Sequence, residues 1–286
     1  LAQVPVVSLS GELAAQGVEL VALSVEVRRE PSRAQAVLST LADPRREDSW
    51  ALNGAFWTGG FFLWVPDGVR ACQPVQLSMS LGGRGTVERS LIIVGEKADV
   101  SFIEGCSDPS GVAARRWSVV EAFVGRAGAL RCASVQSLSG EVVSDAAKLV
   151  RAQAGARIEW LDGCLGGAIT SRILEADLRA AGAGGEMLSC GYAGKGQRLL
   201  LRAEKILAAA AEQSQVQAQG QNARIWRPSD LTQLQRLYLA HRGLSKAQSE
   251  ASALHAFFEP FARRLPLEFS VEFTRLLDVE VGNPQS

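Results

Sequence analysis

The sequence has little of what usually announces a chemistry. Only two histidines occur in 286 residues, His241 and His255. Both fall in a C-terminal stretch of helical character, which predicts ordinary helix-surface or interface histidines and leaves little to build a catalytic triad or a His-rich metal site. The five cysteines are Cys72, Cys106, Cys132, Cys164 and Cys190, an odd number with no CxxC spacing. That excludes a zinc ribbon and a redox dithiol. At this density a disulfide framework is not expected, and a reducing compartment is. Net charge is also missing: Lys plus Arg and Asp plus Glu are 30 each. Such a balance gives no electrostatic reason to expect nucleic acid or an anionic membrane as partner. No apolar run approaches the ~20 residues of a membrane span. There is no charged-then-apolar leader, and the start at Leu1 predicts a removed leader or a piece of a longer chain. What the chain has in quantity is glycine, 28 residues, and a hydrophobic fraction of 47%. That is ample for a packed core of one or two domains.

The glycines punctuate a repeat. ERSLIIVGEKADVSFIEGC, from Glu88 to Cys106, reads as strand, turn, strand, with high β-propensity from Leu91 to Val94. The phrase ADVSFIEGC from Ala98 returns as GALRCASVQ from Gly128, ARIEWLDGC from Ala156, GEMLSCGYA from Gly185 and EQSQVQAQG from Glu212. Successive starts differ by 30, 28, 29 and 27 residues (128−98, 156−128, 185−156, 212−185). The copies follow small-residue turns, GEKA, GRAG, AQAG, AGAG and LAAA. Near-constant spacing of short strands and turns predicts the coils of a β-solenoid, because no single unit buries its apolar face alone. No L-x-x-L-x-L pattern supports leucine-rich repeats.

Around this core the chain divides into three parts: residues 1–50, an N-terminal α/β segment; 51–225, the β-solenoid; and 226–286, a helical domain. SLSGELAAQGVELVALSVEVRREP predicts a short helix, a turn at Gly17, then a strand ending before Pro31. Phe56, Trp57, Phe61, Phe62 and Trp64 are placed to cap the solenoid's end. RAEKILAAAAEQ is made of helix formers, but the repeat register demands strand, and strand is the expectation here. In the last part, Leu231, Leu234, Leu237, Tyr238 and Leu239 recur at helical spacing, Gly243 ends that helix, and Ser245 caps the next.

Little chemistry is written in these elements. GYAGKGQ, from Gly191, lacks the spacing of a phosphate loop, and its Lys195 reads as a coil-turn residue. Glu104, Glu159 and Asp162 lie near strand ends in the repeats, where solvated turns account for them as well as acid–base work does.

Taken together, ALNGAFWTGG, VPDGV, ERSLIIVGEKADVSFIEGC, IEWLDG, GEMLSCGYAGKGQ and RGLSKAQSEASALHAFFEPFARRLPLEF with EFTRLLD resemble the SufB/SufD family of the SUF iron–sulfur cluster assembly system. The resemblance runs from about Pro5 to Asp278, and EGC and GEMLS…GKGQ draw it closer to SufB. It implies a mainly β protein, a right-handed parallel β-helix core with a small C-terminal α-helical domain. It implies a scaffold, not an enzyme, carrying at most a transient iron–sulfur cluster. The implied partners are a SufC-like ATPase on the C-terminal helices and a SufB/SufD-type protein along the β-helix edge. The implied compartment is bacterial cytoplasm or plastid stroma.

Carried over by residue, the cysteine of the EGC motif is Cys106, which is also the one metal-ligand candidate. The Gln of the family's VQNW motif is Gln136, and the Lys of a later TKR-like segment is Lys148. These three are the implied sulfur path. Leu244, Phe257, Phe258, Pro260, Leu265 and Pro266 are the implied partner-binding residues. Departures are equally plain. The Trp of VQNW is Leu138, and the family's Arg and Asn before ERTLII fall at Ser78 and Ser80. NARIWRPSDL supplies neither the Cys nor the Glu of the family's cluster-forming strands. Two readings therefore stand side by side, a working sulfur scaffold and a non-catalytic relative kept as a structural subunit.

Overall fold

The computed structural model describes residues 6–81, 85–108 and 111–281. The chain opens with β1 (Val6–Ser8), α1 (Gly11–Ala15), β2 (Glu19–Ala22), α2 (Leu23–Arg29), α3 (Pro31–Gln35) and α4 (Asp48–Phe56). It then winds through strands in pairs: β3 (Phe61–Val65) and β4 (Val75–Ser80), β5 (Gly85–Val94) and β6 (Asp99–Ser107), β7 (Ala114–Val124) and β8 (Ala129–Leu138), β9 (Val142–Ala152) and β10 (Arg157–Gly166), β11 (Ile169–Asp177) and β12 (Gly184–Ala193), β13 (Arg198–Arg202) and β14 (Lys205–Ala210), β15 (Gln215–Gln219) and β16 (Asn222–Trp226). A 3₁₀ turn and three helices follow: α5 (Gln233–His241), α6 (Lys246–Ala262) and α7 (Leu267–Val281).

From β3 onward odd strands stack into one sheet, which β2 joins, and even strands into the other, which β1 joins. From β3 onward all pairings are parallel, and the antiparallel β1 and β2 close the N-terminal end. Each coil thus contributes one strand to each sheet, which is the predicted solenoid. Period-2 alternation sends one set of side chains inward. Phe102, Leu130, Trp160 and Met187 of the even sheet meet Leu63, Ile92, Val120 and Val150 of the odd sheet in one apolar core.

The corners stack as well. Each of the corners GEKA, GRAG, AQAG and AGAG holds one left-handed residue: Lys97 (φ 56°), Ala127 (φ 53°), Gly155 (φ 70°) and Gly182 (φ 69°). Each turn hands an amide to the next, as in Lys97 N to Arg126 O and Ala127 N to Ala154 O, both 2.9 Å. Gly125 leads its turn because a Cβ there would lie 2.8 Å from the Glu96 amide nitrogen.

The register corrects the repeat reading in its second half. Asp99 pairs with Ala129 and Ala129 with Arg157, the predicted steps of 30 and 28 residues. Ile158, not Ala156, pairs with Gly185. The two-residue difference preserves which side chains face inward. The fifth copy is different. Leu188 pairs with Lys205, so the coil has shortened to 17 residues (205−188). EQSQVQAQG forms β15 in the opposite sheet, and LAAA lies inside β14 instead of at a corner. RAEKILAAAAEQ is strand as expected, because each neighbouring coil offers it an open ladder that outweighs propensity. Residues 23–29 are helix where a strand was expected, since Leu23 and Glu26 turn back to bury against the odd sheet.

The aromatic cluster only partly caps the solenoid. Phe61 enters the core, with its ring centroid 5.1 Å from that of Phe102, Phe62 packs outward on Leu23 and Leu91, and Phe56 is exposed. The outer face of the odd sheet is covered by the N-terminal segment, and that cover is pinned by one carboxylate. Buried Glu121 accepts hydrogen bonds from the amides of Ser39 (2.8 Å), Leu41 (2.8 Å) and Ala42 (3.0 Å) and from Arg89 (2.6 Å). The outer face of the even sheet is covered by α6 and α7, whose Phe258, Phe261, Phe273 and Leu277 pack on Leu161, Leu188, Tyr192 and Leu207.

Glu121→Ala leaves Arg89 buried without its partner and is expected to cost about 3–5 kcal/mol. Urea unfolding measures it. A loss below about 1 kcal/mol would show that the cover's other contacts, among them Arg46–Glu175 and Glu47–Arg202, hold it without Glu121.

Candidate functional site

Beside the apolar core the solenoid interior is polar. Three inward rows run across β6, β8, β10 and β12: Phe102, Cys132, Trp160, Met187; then Glu104, Ser134, Asp162, Ser189; then Cys106, Gln136, Cys164, Gly191. Facing them on β5, β7, β9 and β11 are the rows Ser90, Val120, Lys148, Leu174; Glu88, Ser118, Ala146, Arg172; and Thr86, Arg116, Ser144, Thr170. Strict register therefore brings Cys106, Gln136 and Lys148 into one lumen, with Cys106 and Gln136 as direct cross-strand neighbours.

Among the described residues the lumen holds three cations and three carboxylates in alternation. Arg116 sits 2.6 Å from Glu88 and 3.8 Å from Glu104. Lys148 lies 3.5 Å from Glu104 and 2.6 Å from Asp162, and also donates to Ser134. Arg172 lies 3.4 Å from Asp162. Arg116 donates to Gln136 Oε1 (3.1 Å), Ser134 donates to Asp162 (3.0 Å), and the Trp160 indole N–H donates to Ser134 (3.3 Å). Charges taken out of water survive only when paired in this way. Glu104 and Asp162 are thus buried network members, not the solvated turns that their sequence position suggested. Glu159 alone of that trio reaches the surface, where it binds Arg264 of the helical layer at 2.7 Å.

Burial sets the thiols. It raises Cys106, against the pull of the Arg116 guanidinium. It pushes Cys164 up to about 12, with Arg172 opposing, and raises Cys132 with Lys148 opposing. For Asp162, burial would raise the carboxyl, but Lys148, Arg172 and the Ser134 hydroxyl outweigh it and hold it low. Gln136 Nε2 and Ser189 Oγ are buried with no hydrogen-bond partner. Donors left so cost about 1–3 kcal/mol each, and they point into the same lumen as the thiols. A cation beside a buried thiol stabilises its anion, which is what a sulfur nucleophile needs.

Other expectations land elsewhere. Ser78 pairs with Gly105 on the outward row, and Ser80 follows the same alternation, so the two substituted positions do not face the lumen. Leu138 is buried beside Cys106. Phe258 and Leu265 are buried in the core shared by helices and sheet, Phe257 and Leu244 are half-buried, and Pro260 and Pro266 are exposed. Phe258 and Leu265 therefore support any docking surface from beneath and do not form it. His255 ties α6 to Asp278 of α7 (2.8 Å), and His241 is exposed. Sequence reasoning missed Arg116, Arg172, Ser134 and the lumenal roles of Glu104 and Asp162. The available signal was an ion at an inward position within RRWSVVEAFV and ITSRILEAD, visible only once the register is known.

The family model described as the SUF system FeS cluster assembly SufBD core domain matches residues 77–221. The iron–sulfur cluster assembly protein SufB of Bacillus subtilis (strain 168) is 29% identical over 81% of this chain and 62% of its own length. SufBD family proteins of Staphylococcus haemolyticus (strain JCSC1435) and Staphylococcus saprophyticus are 28% and 27% identical over the same shares. The chain thus spans about 62% of the length of the curated relatives that it matches.

Because the folded-state carboxyl of Asp162 is held below its ordinary 3.8, the ion network contributes stability above that pH and loses it as pH falls through the lowered value. Asp162→Asn is expected to flatten the acid limb of the stability curve below about pH 4. Denaturant midpoints between neutral and acid pH give the comparison, and an unchanged acid limb would remove Asp162 from the network's energetics.

Proposed function

The chain belongs to the SufBD family of the SUF iron–sulfur cluster assembly system, and from that premise we propose that it is a SufB-like scaffold whose lumen carries sulfur. Cys106 receives the sulfur, and Gln136 and Lys148 line the way inward. The observation that supports this reading most is the convergence of these three side chains on one buried lumen, with Arg116 beside the thiol. In that role Arg116 stabilises a sulfur anion on Cys106, the unpartnered Gln136 amide donates to it, and Lys148 holds the lumen's charge balance. The protein performs no hydrolysis itself; ATP turnover belongs to a SufC-like partner.

That partner fits on α5. Leu234, Leu237 and Tyr238 stand exposed there, Leu234 at 78%, and Leu234 and Tyr238 line a cavity of about 830 Å³ together with Trp226 and Phe257. The exposed β15 and β16 at the solenoid's end offer an edge for a second SufB/SufD-type protein. The nascent cluster is cargo. Among the described residues no group of three or more His, Cys, Asp and Glu is placed to hold a metal ion. In this reading the remaining ligands come from outside this chain. The relatives are bacterial, and a bacterial cytoplasm suits the four buried free thiols.

The alternative is a structural subunit that has ceased to carry sulfur. It is favoured by the family residues this chain lacks: the Arg and Asn at Ser78 and Ser80, the Trp at Leu138, and the Cys and Glu that NARIWRPSDL does not supply.

Cys106→Ser in a SUF-dependent cell separates the two. A sulfur path predicts loss of cluster-enzyme activity with the melting temperature unchanged, and full activity would leave the structural reading. Separately, Leu234→Asp with Tyr238→Asp is expected to abolish ATPase co-purification without lowering stability by more than about 0.5 kcal/mol. Retained co-purification would put the ATPase elsewhere.

A further inference from the structure

Two acid–glycine–cysteine triplets occur in the chain, Glu104–Gly105–Cys106 and Asp162–Gly163–Cys164. They lie on β6 and β10, two rungs apart in one sheet, and the register through β8 matches them residue for residue. In both, the acid and the thiol face the lumen and the glycine faces out. The strand that follows each triplet brings an arginine back to its acid. Arg116 on β7 lies 3.8 Å from Glu104, and Arg172 on β11 lies 3.4 Å from Asp162. Lys148 stands between the two units, 3.5 Å from Glu104 and 2.6 Å from Asp162. The surroundings of Cys106 are thus built twice.

The second unit has hydrogen-bonding capacity to spare. Cys164 is 1% exposed, and its thiol donates to the Cys190 carbonyl at 3.4 Å. On the rung before it, in the same row, Gln136 Nε2 has no partner; on the rung after it, neither has Ser189 Oγ. Both residues are buried, at 4% and 0% exposure. Open donors on either side of a buried thiol leave a place for a guest that accepts hydrogen bonds. A sulfur anion is such a guest. Burial raises both thiols, and at each the unit's own arginine opposes the rise, which favours the thiolate.

We propose that Cys164 is a second sulfur-bearing residue, so that one lumen stores two sulfane sulfurs, one on each thiol. The proposal rests on Cys106 being an acceptor, as in the reading above. The Cys164 thiolate attacks the outer sulfur of Cys106–S–SH, and the S–S bond at Cys164 forms as the one at Cys106 breaks. Cys106 departs as a thiolate beside Arg116 and takes up the proton that Cys164 gave. The products are Cys106–SH and Cys164–S–SH, with no outside oxidant or reductant. The span is two rungs of about 4.8 Å each, and the transferred sulfur stands about 2 Å out from its carrier. Gln136 holds the rung between, where its free amide N–H meets the sulfur in passage. A second charge on Cys106 then fills both thiols.

The test uses the full chain with Cys72→Ser, which removes the exposed thiol. It is loaded anaerobically with sodium tetrasulfide and desalted. Cyanolysis counts the sulfane sulfur per chain, and mass spectrometry of alkylated peptides places it. Two sulfurs are expected, on Cys106 and Cys164, with buried Cys132 empty as the internal control. Cys164→Ser lowers the count from two to one, and Cys164→Ala repeats the measurement if the serine disturbs the fold. Arg172→Gln empties Cys164, and Arg172→Lys refills it. Cys106→Ser empties both sites. Sulfur on Cys106 alone overturns the second site and leaves the sulfur-carrying reading intact. A bare Cys106 in Cys164→Ser overturns that reading itself. Sulfur on Cys164 in Cys106→Ser overturns the transfer step, and equal sulfur on Cys132 overturns the role given to the repeated unit.

Discussion

An ion carried into a stack of strands can be neutralised only by a side chain brought in on another strand. That constraint organises this molecule. Lys148 enters on β9 and finds Asp162 on β10 and Glu104 on β6; Arg116 enters on β7 and finds Glu88 on β5. The Lys148–Glu104 and Arg116–Glu88 pairings span coils, so the ions help the ladders to lock register. A slip of one residue on any lumenal strand would send its ions outward and leave others buried alone, at several kcal/mol apiece. The row that holds Cys106 beside Gln136 is fixed by the same lock. Site and fold are thus held by one set of contacts.

Much of the fold was legible from residues because the corners write it. GEKA, GRAG and AQAG mark where the chain must turn left-handed, and the steps from Ala98 to Gly128 to Ala156 are the true register. Legibility failed where coil length changed. Nothing in LLLRAEKILAAAAEQ marks a jump to 17-residue coils, because alanine serves a helix and a tight solenoid interior equally well. The site was half legible. Cys106, Gln136 and Lys148 came from motif resemblance, not from chemistry visible in the chain. Arg116 and Arg172 were hidden because inward and outward positions look alike until strands are paired. Glu104 and Asp162 misled for the same reason.

The two outer layers do different work. The N-terminal segment is clamped over the odd sheet through Glu121, a polar attachment whose geometry is exact about residues 39–42. The helices α6 and α7 adhere to the even sheet by aromatic and aliphatic packing, with Arg264 bridging to Glu159 and Glu186 at the margin. Oily packing tolerates adjustment more readily than a three-amide clamp. The layer beside Cys106 is thus the more adaptable of the two.

The shortened coils have a consequence for traffic. Past β12 the polar rows end in aliphatic side chains: Ser189 is followed by Ile206, Gly191 by Ala208, Arg172 by Leu201 and Thr170 by Leu199, all four aliphatic residues buried. Leu199 fills the space beside Gly191, where a Cβ would already lie 2.8 Å from it. The lumen is therefore a cul-de-sac with a greasy stopper. The polar rows that hold Cys106, Gln136 and Lys148 thus have no polar continuation past β12.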